Sequence, residues 1–547
     1  MTTVAPARDT SARAAARRRD LLLLYGLGLL VHAAVALVTR SPSYVDDHYY
    51  FNAGRMIATG EMQFPELLEP YFWNYAVAPD ALPAPGFAYW QPLPSLLAAL
   101  GIAVLRFLPA FRAAQVVFAL LGALLPPLAY TVAAQVGERR HAMLAGLLAC
   151  FTGMYARYWP LPESFTPFAL STAGAMLLSG LGRERGRRWA WLAAGVCAGL
   201  SHLARADGLL VIAVVAFVAV LPPRWFRGEY VNAPARQRAL SAVLAVAGYL
   251  VVMAPWFARN LAVFGSVQAP GGLNALWLVE YNDLFNYPSN LTPGRYFAAG
   301  WGTILAGKAR ALWLNLLTLI GVHGMAFLVP LALVGWVRRW RQPWVLPMTI
   351  YGLALFAAMT FAFSLPGMRG GWLHSSAALV PFVMAMAACG LEDTVRWVAS
   401  RRSTWHVASA WRVFGGASVV IALLVTIAMT AQTVGEAANS SVRLYAAIGE
   451  TLDALGAPAD ARIVSNDPPA MHTVTGHGGI PLVNGDEANL LRAADDYSAS
   501  FLVLDRHVPD GLMPLYQDGP SSPRLVLIET YQHESSPAYL YQILPAD

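Results

Sequence analysis

The sequence predicts a polytopic membrane protein, with an all-α domain of about eleven transmembrane helices and a small extracytoplasmic α/β domain at the carboxyl end. Of the 547 residues, 57% are hydrophobic and only 13% are charged, and the mean hydropathy is +0.47, which is too apolar for a soluble protein. The net charge of +6 comes from short arginine clusters between apolar runs. That pattern orients membrane proteins and argues against a nucleic-acid partner.

The membrane helices are predicted from apolar runs of about 20 residues, the length that crosses the hydrocarbon core of a bilayer. The fifth and sixth runs are short, so a broken pair that reaches only part-way would explain them as well. A further apolar stretch at 93–108 follows two prolines, which favours a helix on the membrane face. The eleven predicted spans are 21–38, 113–136, 141–158, 163–181, 189–204, 207–222, 239–256, 318–337, 343–363, 374–391 and 412–431.

Orientation follows from arginine, which is concentrated in alternate connections between the predicted spans. We expect a multi-pass protein of the plasma or inner membrane with a cytoplasmic amino terminus. The loops at 39–112 and 257–317 and the carboxyl tail are then on the outer face. The basic clusters that carry this argument lie at 13–19, 139–140, 183–188, 224–238, 338–341 and 396–412.

The domain boundaries follow from these spans and from a change of composition near residue 440. Residues 1–20 are expected to be a disordered cytoplasmic amino terminus, 21–435 the transmembrane domain, and 440–547 the extracytoplasmic domain. The first outer loop, 39–112, is expected to contain interfacial helices. The three cysteines all lie in apolar runs, which excludes loop disulfides and a cysteine zinc site.

The tail alternates helical and strand-like patterns, and this order predicts a small α/β domain. Helices are expected near 445–455 and 487–494, and the stretch 466–479 reads as turns. The predicted strands are 461–465, 501–504, 525–529 and 539–543.

Two adjacent carboxylates, Asp46 and Asp47, follow the first apolar run within a few residues of a membrane face. Charge at that depth is costly unless it has a use. One acid could act as a general base while the other positions it, or the pair could help to hold a divalent cation. A helix cap or a solvated loop pair would explain the two aspartates equally well.

The same loop carries a longer motif, in which the acid pair is followed by Tyr50, Gly60 and Pro65 and later by Trp90-Gln91-Pro92-Leu93. This motif resembles the first outer loop of the GT-C glycosyltransferases. More narrowly, it is similar to that of the protein O-mannosyltransferase and aminoarabinose transferase group (glycosyltransferase family 39-like). The resemblance extends in architecture over about residues 1–370, and in motif over the first outer loop.

The resemblance implies a glycosyltransferase that moves a sugar from a polyprenyl-phosphate donor to a lipid, glycan or protein acceptor at the outer face, with inversion. Asp46 then takes the place of the general base, and Asp47 that of the second acid. The family has glutamate as second acid and often a lysine before the proline-leucine motif, where this chain has Trp90 and Gln91. The resemblance fixes no cofactor and leaves a divalent cation open.

Cleavage of a glycosyl phosphate requires a cation near the leaving phosphate, because negative charge builds up there. Arg205 and Arg259 are the favoured candidates. Arg205 could instead neutralise Asp207 at a helix junction, and Arg259 could reach lipid headgroups. Other candidates near the outer face are Arg55, Arg295 and Arg369.

Four further residues are candidate substrate contacts. Tyr50 belongs to the motif, and Trp90 lies in an aromatic loop that could bind sugar rings or an isoprenoid chain, or form an interfacial belt. Glu163 stands where relatives often have an acid, although a helix amino terminus would also favour it. His374 could face the site, but a helix cap is the favoured explanation.

No metal site is predicted from ligand spacing. Asp467, His472 and His477 in the tail match no ligand pattern. Two alternatives to a transferase are a transporter or flippase of a lipid-linked saccharide, and an inactive relative acting as an assembly subunit. A transporter is expected to show inverted repeats and midplane charges, whereas this sequence shows no repeat and has its conspicuous charges at the outer edge. An enzyme is therefore the leading interpretation.

Overall fold

In a computed structural model, the protein is described over residues 7–433 and 440–546. Helices make up nearly all of the amino-terminal part. They are α1 (Ala7–Val38), α2 (Val45–Thr59), α3 (Leu93–Val104), α4 (Ala110–Gly122), α5 (Leu125–Val136), α6 (Arg139–Cys150), α7 (Phe165–Arg185), α8 (Arg188–Ala204), α9 (Leu209–Val220), α10 (Ala235–Phe264), α11 (Gly271–Asn274), α12 (Pro293–Ala298), α13 (Gly300–Thr318), α14 (Val329–Arg339), α15 (Leu346–Ala357), α16 (Ser364–Pro366), α17 (Trp372–Ser376), α18 (Val380–Ala399) and α19 (Val407–Thr433).

The predicted polytopic helical fold class is confirmed, although the set of long helices differs from the eleven predicted spans. Within the described residues, seven helical segments are long and apolar enough to cross a membrane, and Leu93–Val104, Ala206–Val220 and Leu346–Ala362 are shorter apolar helices. The seven are Arg13–Val38, Ala110–Val136, Phe165–Arg185, Ala235–Phe264, Gly300–His323, Ser364–Ala399 and Val407–Gln432.

Two expectations about the membrane domain and the segment before it are corrected. Helix α1 already begins at Ala7, inside the segment 1–20 that was expected to be disordered, and residues 1–6 lie outside the described residues. The predicted outer loop 257–317 contains α13, a helix with Trp301 and Trp313 exposed by 67% and 62%. Lys308 and Arg310 lower the hydropathy of this stretch, which is why it reads as a loop in the sequence.

Two predicted spans are interrupted. The run 318–337 is split between the end of α13 and α14, because the chain turns through Met325 and Ala326 at positive φ angles of 47° and 57°. The run 141–158 forms only α6, which ends at Cys150 and gives way to a short 3₁₀ turn. The short fifth and sixth runs form α8 and α9, separated at Arg205 by extended backbone.

The carboxyl-terminal part is an α/β unit, as predicted. Its sheet has the order β4-β3-β5-β7-β6, in which β4, β3 and β5 are parallel and β7 and β6 antiparallel. The elements are α20 (Ser440–Ala454), α21 (Pro468–Thr475), α22 (Glu487–Asp496) and α23 (Met513–Asp518), with β1 (Leu68–Glu69) and β2 (Ala84–Pro85) in the first outer loop and β3 (Arg462–Ser465), β4 (Gly478–Pro481), β5 (Ala499–Leu504), β6 (Leu525–His533) and β7 (Ser536–Ile543) in the tail.

The turns predicted at 466–479 are in fact α21 and β4. Asp467 caps α21 by accepting a hydrogen bond from the Ala470 amide at 2.9 Å. Pro468 and Pro469 occupy the first helical positions, where proline needs no amide donor. A proline pair that reads as a turn in the sequence therefore starts a helix here.

The tail sheet shares its hydrophobic core with the first outer loop. Phe72, Tyr75 and Leu82 of the loop pack in one buried cluster with Val464 and Leu502 of the sheet. Polar bonds accompany this packing: the Tyr75 hydroxyl donates to the Pro481 carbonyl at 2.8 Å, and the Arg462 guanidinium donates to the Leu82 carbonyl at 2.7 Å. The tail is thus joined to the membrane domain through the loop that carries the acid pair.

Helix α21 also docks on α2 through buried polar groups. The Asn52 amide donates to the Pro469 carbonyl at 2.8 Å and accepts from the Thr473 hydroxyl at 2.9 Å. One turn earlier, His48 Nδ1 lies 2.8 Å from the Thr473 hydroxyl. His48 and Asn52 lie on one face of α2, so the tail fixes the orientation of the helix whose first turn holds Asp46.

Candidate active site

The first turn of α2 separates the two adjacent aspartates. The Asp47 carboxylate accepts hydrogen bonds from the backbone amides of Ser43 at 2.8 Å and Tyr44 at 2.9 Å, which closes the capping turn of the helix. Burial raises the pKa of Asp47 to about 8, although the two amides oppose that rise. Asp47 is therefore placed as the cap of α2, the structural alternative raised from the sequence.

Asp46 instead joins a cluster with Glu163 and His374. His374 Nδ1 lies 3.2 Å from Glu163 Oε1, and His374 Nε2 lies 4.0 Å from Asp46 Oδ2. The Trp90 indole donates to Asp46 Oδ1 at 3.1 Å. The Asp46 side chain is 22% exposed, whereas that of Glu163 is 0% exposed. Asp46 is therefore the acid of this cluster that a ligand can reach.

Glu163 lies immediately before α7 and serves two purposes. Its Oε2 accepts a hydrogen bond from the Phe165 amide at 2.7 Å, and the Ser164 hydroxyl donates to the same carboxylate at 3.0 Å. Both explanations offered for this acid are thus present, because it stabilises the start of α7 and also faces His374. The favoured explanation of His374 as a simple helix cap does not describe this contact.

The surroundings of Asp46 and Glu163 shift the pKa values of these two acids in opposite directions. Burial raises the pKa of Asp46, with a smaller rise from Glu163, while the charges of His374 and Arg205 oppose it. Burial also acts to raise the pKa of Glu163, but the charge and hydrogen bond of His374, together with Arg205, outweigh it and hold that pKa below its ordinary value. Such a division is typical of acids with different roles in one site.

Arg205 reaches the same cluster from the break between α8 and α9. Its Nε donates to the Ser375 hydroxyl at 3.0 Å and lies 3.2 Å from Asp207 Oδ1, and its Nη1 donates to the Ser164 hydroxyl at 3.3 Å. The ion pair with Asp207 that the sequence suggested is present. Arg205 is nevertheless held beside the Glu163 carboxylate rather than turned away from it.

The two aromatic candidates, Tyr50 and Trp90, are buried beside the cluster. Tyr50 is 2% exposed, and its pKa is raised by burial and by the nearby Glu163 and Asp46 carboxylates. The Trp90 ring stacks on Tyr49 with ring centroids 4.0 Å apart. This stacking fixes the indole that donates to Asp46.

Three of the predicted arginines lie elsewhere. Arg259 is 2% exposed and donates to the carbonyls of Pro65, Glu66 and Gly86 at 2.9, 2.7 and 2.9 Å, so it clamps the first outer loop. Arg55 lies further along α2, with Nη2 3.4 Å from His472 Nε2. Arg295 is paired with Asp283.

Some contacts of the site were not predicted. Ser164 and Ser375 connect Arg205 to the acids, and the only sequence signal for them is that each directly follows a candidate residue, Glu163 or His374. Such hydroxyls are too common in sequences to single out. Ser164 and Ser375 are therefore recognised as part of the site only from their distances to Arg205 in the structure.

The cluster could hold a divalent cation. Asp46, Glu163 and His374 each offer one ligand atom, and these atoms lie within 4.8 Å of one another. Two carboxylate oxygens and one imidazole nitrogen suit Mn²⁺ or Zn²⁺ better than Mg²⁺ or Ca²⁺, which prefer oxygen alone. The residues present thus fit such an ion, with Glu163 in the place that the sequence gave to Asp47.

No protein-family model matches the sequence, and no curated protein sequence matches it either. Solved structures do match it in fold. ArnT from Cupriavidus metallidurans in the apo state is 16% identical with a TM-score of 0.56, over 95% of this chain and 97% of that protein. The same protein bound to undecaprenyl phosphate is 15% identical with a TM-score of 0.57 over the same shares.

A second neighbour is the Archaeoglobus fulgidus oligosaccharyltransferase in complex with Zn and sulfate. It is 14% identical with a TM-score of 0.54, over 88% of this chain and 67% of that one. Both neighbours belong to the GT-C superfamily. The chain therefore has the GT-C fold over nearly its entire length.

Proposed function

We propose that the protein is a membrane glycosyltransferase that moves a sugar from a polyprenyl-phosphate donor to an acceptor at the outer membrane face. The observation that carries the proposal is the exposed edge of Asp46, which is held between Trp90, His374 and Arg205 just beyond the first membrane helix. The GT-C fold supports it, and so does the undecaprenyl phosphate bound by ArnT. The sugar and the acceptor are not specified by these features.

Asp46 is the general base in this proposal. Its free carboxylate oxygen takes the proton of an acceptor hydroxyl as the hydroxyl oxygen attacks the anomeric carbon. The bond between that carbon and the phosphate oxygen breaks, and its electron pair stays on the phosphate. Attack opposite to the leaving group inverts the anomeric centre, and polyprenyl phosphate is released.

Two arginines are positioned to stabilise the leaving phosphate. Arg205 brings positive charge beside the cluster, although its guanidinium is already bonded to Asp207, Ser164 and Ser375. Arg369 is exposed and its guanidinium lies 4.5 Å from the centre of the Tyr281 ring. Because Arg369 lies in the turn directly before α17, the helix that carries His374, we assign Arg369 to the phosphate. It replaces Arg259 in that role.

A divalent cation, where bound by Asp46, Glu163 and His374, would supply additional positive charge for the leaving phosphate. The Zn in the Archaeoglobus fulgidus complex is that protein's own ion. In this chain, the donor set alone supports the assignment. The same proposal keeps residues 440–547 as an extracytoplasmic domain and the amino terminus in the cytoplasm.

The test uses the full chain in lipid nanodiscs with undecaprenyl-phosphate-linked sugars of several kinds and a membrane and cell-wall extract as acceptor. Release of undecaprenyl phosphate is measured by mass spectrometry. Asp46→Asn is expected to lower release at least about 100-fold, the usual contribution of a general base. Asp80→Asn, in the exposed part of the same loop, is the matched control and is expected to act like the unchanged protein.

Release by Asp46→Asn at the unchanged rate would remove Asp46 as the base. A protein that moves intact lipid-linked sugar between leaflets without releasing undecaprenyl phosphate would instead be a flippase. Thermal unfolding of both variants shows whether a loss of activity reflects a loss of folding.

A further inference from the structure

A small cleft lies at the far end of α7 from the candidate active site. Helix α7 begins two residues after Glu163 and ends 21 residues later, a length of about 30 Å. We name the cleft at this end the arginine cleft. It is lined by Arg183, Trp191, Val231, Gln237, Arg238 and Ser241. The cleft is therefore separate from Asp46 and lies on the face that the arginine pattern predicts to be cytoplasmic.

Arg183 forms one wall of the arginine cleft and is only 4% exposed. Its Nε donates to the Val218 carbonyl at 3.2 Å, and its Nη2 donates to the Leu221 carbonyl. The guanidinium carbon lies 4.6 Å from the centre of the Phe226 ring. These neighbours orient the guanidinium, but none of them carries a negative charge. A buried arginine without an acid is unusual, so its charge is available to a ligand.

A second arginine, Arg238, lines the cleft from the first turn of α10. Its Nη1 donates to the Ala233 carbonyl at 3.0 Å. The Val231 amide donates to the Arg183 carbonyl at 3.0 Å, so the short segment 231–233 holds both arginines at one cleft. The helix dipole disfavours a cation in a first turn. An anion in the cleft would offset this unfavourable placement of Arg238.

The acids around the cleft are too few to neutralise it. The two bordering stretches, 183–188 and 224–238, contain eight arginines and two glutamates. Glu184 already pairs with Arg185, and Glu229 is exposed. Among the described residues, neither arginine of the cleft forms an ion pair. The charge distribution therefore favours an anionic ligand, and guanidinium groups are well suited to phosphate oxygens.

The arginine cleft lies at the depth of lipid headgroups. Helices α7 and α10 are both long and apolar enough to cross a membrane. Arg183 is in the last turn of α7 and Arg238 in the first turn of α10, so the cleft is where both helices reach the membrane surface. Trp189 and Trp225 lie in the same connections and are exposed by 57% and 42%. Tryptophan prefers the membrane–water interface, which supports this depth.

An exposed apolar surface continues from the cleft along α10. Leu240 and Val243 follow Arg238 within two turns and are exposed by 40% and 62%. A phospholipid with its phosphate in the cleft would place its acyl chains on this surface. A soluble phosphate compound has no group that would use it. The position of the cleft therefore favours a lipid over a soluble anion.

We propose that the arginine cleft binds the headgroup phosphate of an anionic phospholipid from the leaflet at this end of α7. Arg183 and Arg238 bind the phosphate, and the Gln237 side chain, which makes no hydrogen bond among the described residues, bonds to the rest of the headgroup. A zwitterionic lipid also has a phosphate, but its cationic group is repelled by the surrounding arginines. This site is distinct from the proposed donor site and does not depend on the proposed function.

The test measures lipid binding to the full chain in detergent by native mass spectrometry. Dioleoyl phosphatidylglycerol is the anionic probe, and dioleoyl phosphatidylcholine is the zwitterionic probe with the same acyl chains. The unchanged protein is expected to bind the anionic lipid at least about 5-fold more tightly, because each arginine near a membrane surface favours anionic lipid by about that factor. An excess of inorganic phosphate is expected to leave the anionic lipid bound.

The test variant is Arg238→Gln, which is expected to weaken phosphatidylglycerol binding about 5-fold. Arg238→Lys keeps the charge and should weaken it less. The matched control is Arg412→Gln, which removes an exposed arginine from the same predicted face and should leave binding unchanged. Phosphatidylglycerol should also raise the unfolding temperature of the unchanged protein and of the control more than that of Arg238→Gln.

Three results would overturn the inference. The first is equal binding of the two lipids by the unchanged protein, and the second is an equal effect of Arg238→Gln and Arg412→Gln. The third is displacement of phosphatidylglycerol by inorganic phosphate, which would mean that the cleft takes a soluble anion. The comparison of the two lipids needs no variant, so it decides the matter even where Arg238→Gln fails to fold.

Discussion

Asp46 and Asp47 are neighbours in the sequence but have different surroundings. The Asp47 carboxylate is occupied by the Ser43 and Tyr44 amides, while Asp46 has one oxygen bonded to Trp90 and the other near His374. Successive side chains on a helix point about 100° apart, so the two carboxylates face different neighbours. The third acid, Glu163, comes from a distant part of the chain to complete the cluster.

At the level of single residues, His374 is expected to set the pH range of activity. The positive charge of His374 is the largest influence that lowers the pKa of Asp46 against burial. His374→Gln should therefore raise the Asp46 pKa further. Because the base must be ionised, the acid limb of the activity profile should then move to higher pH.

The measurement is the pH profile of kcat/KM for sugar transfer. His406→Gln, an exposed histidine in the loop before α19, is the matched control and should leave the profile in place. An acid limb that stays where it is, or moves to lower pH, would show that His374 does not act on the base.

At the level of elements, α2 depends on its first turn. Asp47→Ala removes the acceptor for two backbone amides in a buried position, and should lower the free energy of unfolding by about 1–2 kcal/mol. Asp47→Asn keeps a capping oxygen and should lower it less. Thermal unfolding of the detergent-solubilised protein measures both.

The same pair of variants tests the other role of Asp47. If it is a second catalytic acid, Asp47→Asn should abolish transfer while the unfolding temperature is nearly unchanged. If it is a cap, activity should follow folding in both variants.

Arg259 stabilises the conformation of the first outer loop. Its planar guanidinium reaches three carbonyls, at Pro65, Glu66 and Gly86, which a lysine could not match because its ammonium is a single point. The Trp256 and Phe264 rings lie within 5.0 Å and 4.8 Å of the same group. An arginine that the sequence suggested for phosphate binding therefore has a structural explanation.

At the level of the whole molecule, the arginine clusters predict which side each end of the protein faces. A cysteine placed at Gln517, an exposed position in α23, should react with a membrane-impermeant maleimide in intact cells. A cysteine at Ser403, exposed in the loop before α19, should react only after permeabilisation. The native Cys150 and Cys389 are buried and Cys197 is half-buried, so Cys197→Ser is used as the background for both variants. The reverse pattern would place the proposed site in the cytoplasm.

The fold and the site differ in how far the sequence could predict them. Long apolar runs and the alternating tail predicted most helices and strands because those patterns are local. Two elements were missed: α13 contains the charged Lys308 in its interior, and α21 begins with the Pro468-Pro469 pair, which reads as a turn in the sequence. Asp46 could be found from its position next to the first apolar run, but its proximity to His374 joins residues more than half the chain apart and depends on the fold.

The packing of the first outer loop against the tail sheet has a consequence for how the protein is made. The loop residues Phe72 and Tyr75 complete their core only against strands that begin at Arg462. The ribosome therefore has to finish almost the entire polypeptide before the outer loop can adopt its final shape, and every intervening helix has to be inserted first. A nascent chain that stops before residue 462 would therefore leave the first outer loop, which carries Asp46, without the strands that complete its core.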